Sequence, residues 1–138
     1  KQQLLDFVSA GKKSLTAKHE TVDLVKDLHT AGYRLYLLSN MPPQVADYVQ
    51  NRYGFWDYFE DRVFSGYVGM SKPDSRIFTY SMNRWRVKPE EAIFIDDMPN
   101  NIEAAEVLGM KTVLFQTVPA CREQLQEHGI ILKKEYTS

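Results

Sequence analysis

Three short polar stretches in this sequence, two closing an apolar run and one in a loop before a proline-started helix, carry residue types suited to charged chemistry. The first is Leu37-Leu38-Ser39-Asn40. A hydroxyl and an amide here, with the backbone N–H groups of a following helix start, could cradle phosphoryl oxygens. The same two residue types are also good helix caps. The second is Ser71-Lys72-Pro73-Asp74. Its lysine could set an ammonium over an anion, or stand as a solvated loop residue with Asp74 in a first helical turn favoured by the helix dipole. The third is Ile93-Phe94-Ile95-Asp96-Asp97, followed by Met98-Pro99-Asn100-Asn101. Adjacent carboxylates at the mouth of a buried strand repel each other unless a cation or a lysine offsets them. Mg²⁺ suits such a pair, because it takes hard oxygen ligands and keeps several waters. One capping and one solvated aspartate is the plainer alternative.

The elements that must position these residues follow from periodicity. Residues 2–10 read as a short helix. Val22, Leu24, Val25 and Leu28 recur at helical spacing and Gly32 ends that helix. Tyr33–Leu38 reads as a buried strand. A helix starts near Pro42-Pro43, where proline fits the first turn, and ends before Gly54. Residues 55–71 read as irregular, with a short strand at Arg62–Phe64 and turn glycines at Gly66 and Gly69. Further on come a helix after Pro73, a strand at Ala92–Ile95, a helix at Asn100–Leu108, a strand at Lys111–Phe115 and a helix at Pro119–His128. Strands alternating with helices imply an α/β fold: a Rossmann-like parallel sheet with helices on both faces. Sites in such sheets lie beyond the carboxyl ends of the strands, where all three polar stretches fall.

Composition narrows the function classes. The 138 residues fit one domain, and the net charge of −1, with dispersed lysines and arginines, gives no field for nucleic acid or membrane. No apolar run is long enough to span a bilayer. The single cysteine, Cys121, excludes an internal disulfide framework, and no His/Cys cluster has metal-ligand spacing. The start has no secretory pattern, so a cytoplasmic protein is expected. Phe55, Trp56, Tyr58 and Phe59 read as packing residues.

Taken together, strand–Ser-Asn, loop Lys-Pro and strand–Asp-Asp, each followed by a helix, resemble the haloacid dehalogenase superfamily in its phosphatase branch, over roughly residues 20–117. The resemblance implies a Mg²⁺-dependent hydrolase of a small phosphorylated metabolite, working through an aspartyl-phosphate. It places the transferring phosphoryl group on Ser39, Asn40 and Lys72. It gives Mg²⁺ to Asp96 and Asp97, with Lys72 and Asp97 as catalytic groups. It also requires an Asp-x-Asp nucleophile loop after an early strand, and Asp6 alone does not supply it. The chain therefore reads as the C-terminal part of such a protein, a fragment or processed product opening on Lys1. Residues 1–16 would be the end of a helical cap and residues 17–138 the rest of the core. The central strand and most of the cap would be missing. An upstream segment of the same protein, or a second chain, would complete the sheet. The alternatives are a 2-haloacid dehalogenase-type hydrolase, which the acidic pair disfavours, and a non-catalytic α/β binding module.

Overall fold

The computed structural model describes residues 4–7, 19–52 and 55–132. Among the described residues five parallel strands form one sheet: β1 (Leu4–Phe7), β2 (Arg34–Ser39), β3 (Asp61–Phe64), β4 (Ala92–Asp96) and β5 (Lys111–Leu114), in the spatial order β3-β2-β1-β4-β5. The helices are α1 (His19–Thr30), α2 (Pro43–Arg52), α3 (Ser65–Val68), α4 (Ser75–Trp85), α5 (Pro99–Val107) and α6 (Val118–Glu127). Short 3₁₀ turns occupy Phe55–Tyr58 and Pro89–Glu91.

β2 and β4 are buried on both sides, which is why they read as continuous apolar runs. Alternation divides their side chains between two cores. Leu35, Leu37, Ile93, Ile95 and Val113 pack with Leu24, Val25 and Leu28 of α1 and Cys121 and Leu125 of α6. Tyr36, Leu38, Val63 and Phe94 pack with Ile77, Phe78, Met82 and Trp85 of α4 and Ala105 of α5. Tyr36 stacks on Trp85 with ring centroids 4.5 Å apart, and Phe78 meets Phe94 edge-on at 5.2 Å. The indole of Trp85 donates to Asp61 Oδ2 at 2.9 Å, so the large ring is buried with its polar atom satisfied. Arg122 and Asp27, 2.9 Å apart, tie α6 to α1.

Two expectations change. Leu4–Phe7 is a strand, not part of a helix over residues 2–10. It also occupies the central place expected to be missing, pairing in parallel with β2 (Asp6 opposite Tyr36) and with β4 (Phe7 opposite Ile95). The physical reason is the vacancy itself. Two apolar strands with an empty slot between them would leave both rows of backbone N–H and C=O groups unpaired, and a Leu-Leu-Asp-Phe run can satisfy them. The rest of the expected cap segment, residues 8–16, lies outside the described residues. The second change is at Gly66, which sits inside the short helix α3 instead of a turn, while Gly69 ends that helix with φ of +73°.

Candidate functional site

The three polar stretches meet at the carboxyl edge of the sheet. Ser39 ends β2 and is fully buried, opposite Phe64 of β3. Lys72 comes from the loop before α4 and is 4% exposed, a burial that lysine tolerates only with partners. Its ammonium donates to Asp96 Oδ2 at 2.9 Å and to the Leu38 carbonyl at 3.1 Å, and lies 5.7 Å from the Phe94 ring centroid. The loop that carries it is held from the other side. Asn40 Nδ2 donates to the Lys72 carbonyl at 3.0 Å, and the Lys72 N–H donates to Asn40 Oδ1 at 2.9 Å. The Lys72–Pro73 peptide is cis, and Asp74 caps α4 by accepting from the Arg76 N–H at 2.9 Å.

The adjacent acids have different surroundings. Asp96 is fully buried at the end of β4. Its Oδ1 accepts from the Met98 N–H at 3.0 Å, and its Oδ2 accepts from Lys72 and from Asn101 Nδ2, the latter also at 3.0 Å. A buried carboxylate needs this many donors. Asp97 stands just past the strand and is exposed. Partial desolvation and the neighbouring Asp96 carboxylate push its pKa above the usual carboxylate value, with Lys72 a weaker opposing influence. Two carboxylates around one ammonium leave the cluster with a net negative charge, so an anion entering it would need a further cation. Among the described residues no group of three or more His, Cys, Asp or Glu converges to hold a metal.

Two contributions were not foreseen from sequence. Asn101, 6% exposed in the first turn of α5, reaches back to Asp96. Its position five residues after Asp96, on a proline-started helix, is the signal that could have found it. Asn40 binds the backbone of the Lys72 loop, so both of its amide atoms are committed within the protein.

The early aspartate lies further back along the sheet. Asp6 stands opposite Phe94, two residues before Asp96 on β4, and at about 3.3 Å per residue that puts its backbone about 7 Å behind the site. Among the described residues no helix is long and apolar enough to cross a membrane.

Comparison with known proteins agrees with this architecture. The family model for haloacid dehalogenase-like hydrolases matches residues 2–109. The drimenol cyclase drtB of Aspergillus calidoustus is 32% identical over 113 residues, 80% of this chain and 21% of that protein. A phosphoglycolate phosphatase of Vibrio vulnificus is 30% identical over 105 residues, 75% of this chain and 46% of that protein. The crystal structure of a Bacteroides thetaiotaomicron family enzyme, in complex with magnesium and inorganic phosphate, superposes with a TM-score of 0.66 at 30% identity. That match covers 72% of this chain and 52% of the other. The chain thus spans about half or less of the length of these relatives. By its sequence and by its sheet with the three loops at one edge, the chain belongs to the haloacid dehalogenase-like hydrolase family.

Proposed function

We propose that this chain is the phosphoryl- and Mg²⁺-binding part of a cytoplasmic phosphomonoesterase that works through an aspartyl-phosphate on a small phosphorylated metabolite. The observation that carries this reading is the buried Lys72 ammonium, held by Asp96 and the Leu38 carbonyl beside the end of β2. A fixed cation at the strand ends suits phosphoryl transfer, which needs positioning and charge neutralisation more than covalent work by the protein. In this reading Ser39 and Lys72 hold the phosphoryl oxygens, and Asn40 acts by fixing the Lys72 loop. Asp96 anchors and orients Lys72, since its oxygens already have protein donors. Asp97 is the exposed carboxylate that would hold Mg²⁺ with waters, which fits the net negative charge of the cluster and the hard-oxygen preference of that ion. Bound there, Mg²⁺ would supply neutralisation of phosphoryl charge.

The nucleophile is assigned to a segment outside the described residues, because Asp6 is two residues short of the site. One observation favours a second reading for the chain by itself, a phosphate-binding module without catalysis: the central slot is filled by Leu4–Phe7. One experiment separates the readings. The purified 138-residue chain is titrated with inorganic phosphate with and without Mg²⁺, and assayed on para-nitrophenyl phosphate. Phosphate binding that needs Mg²⁺ and is lost in Asp97→Asn, without hydrolysis, is the expected result. Chelator-sensitive hydrolysis by this chain would place a nucleophile within it. Phosphate binding indifferent to Mg²⁺ would remove Asp97 from the metal site.

A further inference from the structure

The residues that end β2 are stitched, one after another, to the chain that runs from β3 to Lys72. Ser39 pairs with Phe64 at the end of β3. The Asn40 side chain holds both the N–H and the carbonyl of Lys72. Met41 is buried, and both of its backbone groups are held. Its N–H donates to the Ser65 hydroxyl at 2.9 Å. Its carbonyl accepts from that hydroxyl at 3.4 Å and from the Gly66 N–H at 3.0 Å. The segment from Ser65 to Lys72 is therefore a loop pinned at both ends to neighbouring residues, Met41 at its start and Asn40 at its finish. From the second pin the Lys72 ammonium reaches the Leu38 carbonyl and Asp96.

We propose that Ser65 is a positioning residue for the phosphoryl site: by taking the Met41 N–H, its hydroxyl sets the Lys72 loop against the end of β2. The inference rests on the phosphoryl-site reading above and adds to it a residue that acts through its neighbours. The helix start makes this setting matter to an anion. Pro42 and Pro43 lead into α2 and carry no N–H, and the Met41 N–H is taken by Ser65. Three successive residues at this helix start thus offer a phosphoryl group no backbone donor, unlike an ordinary helix-terminus cradle. Binding then leans on the side chains of Ser39 and Lys72, and the stitches between their two segments set where those side chains stand. The approach of α3 is close as well. A Cβ at Gly66 would lie 2.7 Å from the Met41 carbonyl oxygen, so a glycine is what lets the Ser65 hydroxyl come within reach. Without that hydroxyl the Met41 N–H is left as a donor in a buried residue, and it regains a partner only by moving. Such a shift carries the adjacent Asn40, and Asn40 carries the Lys72 backbone.

The test is the Kd of inorganic phosphate in Mg²⁺, measured by calorimetry on the full chain and its variants at a temperature where each is folded. Ser65→Ala should raise Kd about tenfold, the worth of one misplaced hydrogen bond to a charged group. Ser65→Thr keeps the hydroxyl and should keep the affinity. Ser65→Cys, whose thiol is a weak acceptor, should fall between the two. In amide NMR spectra Ser65→Ala should shift Met41 and, through Asn40, Lys72. Met110→Ala is the control: it removes a buried side chain just before β5, at the amino edge of the sheet, and should leave Kd unchanged. Unchanged affinity in Ser65→Ala, affinity as poor in Ser65→Thr as in Ser65→Cys, or an equal loss in Met110→Ala would each overturn the role of Ser65 and leave the phosphoryl site standing. If Ser65→Ala does not fold, the comparison of Ser65→Thr with Ser65→Cys decides. No phosphate binding by the parent chain would overturn the phosphoryl site and this role with it.

Discussion

Replacing Lys72 by Met tests the site through stability, independently of any substrate. Met keeps most of the apolar stem and removes the ammonium. Asp96, fully buried, would then lose its cationic partner and keep the neutral donors Met98 N–H and Asn101 Nδ2, each at 3.0 Å, and the Leu38 carbonyl would lose its side-chain donor. Removing one member of a buried ion pair leaves an uncompensated charge and costs about 3–5 kcal/mol. With an unfolding entropy of about 2.1 cal/mol/K per residue over 138 residues, that loss lowers Tm by about 10–17 °C. Lys72→Met/Asp96→Asn separates burial from pairing. The amide carries no charge to strand, so the double variant should be less destabilised than the sum of the two single variants by about 2–3 kcal/mol. Urea unfolding followed by circular dichroism gives all three free energies. A cost below about 1 kcal/mol for Lys72→Met, smaller than the lower end of the range for a broken buried pair, or additive single variants, would show that the ammonium is not held as described.

Two further outcomes follow from packing and burial. In Gly66→Ala the new methyl would lie 2.5 Å from Pro43 Cδ and 2.7 Å from the Met41 carbonyl oxygen, so α3 must move off the loop after β2. A destabilisation of about 1–3 kcal/mol is expected, and an unchanged Tm would contradict that close approach. Cys121 is fully buried, and burial pushes its thiol up to about 12 against a smaller lowering by Arg122. It should resist a thiol reagent at pH 8 in the folded chain and react promptly in denaturant; rapid labelling of the native chain would contradict its burial.

The longer helices and the strands from residue 19 onwards were legible because their signals agree with their flanks. Leu24, Val25 and Leu28 do lie on one buried face, Gly32 does end its helix with φ of +97°, and Ile77, Phe78, Met82 and Trp85 form the buried stripe of α4. Leu4–Phe7 was not legible for the opposite reason. A four-residue apolar run carrying one aspartate suits a helix turn or a buried strand equally well, and only the unpaired edges of β2 and β4, distant in sequence, decide between them. The same holds for α3, four residues long with no buried member, which periodicity cannot detect.

The candidate site shows a related division between residue type and residue direction. Sequence marks Asp96 and Asp97 as a pair of acids, but Asp96 is the last residue of its strand and Asp97 follows the strand's end. Along β4, Phe94 faces the core under α4 and α5, and Ile95 faces the core under α1 and α6. Asp96 follows the first pattern and is buried where Lys72 and Asn101 reach it. Asp97 emerges beyond the last strand residue into solvent. Along β2 the same alternation puts Ser39 on the side of Leu35 and Leu37, opposite the side on which Leu38 packs. The lysine, one acid and Asn101 thus form a buried positioning cluster on one side of the strand ends. The other acid is left at the exposed rim, where an ion that keeps its waters can be reached. The protein can hold Lys72 rigidly and still offer a carboxylate to solvent because β4 ends at Asp96, so the next residue leaves the sheet for the exposed rim.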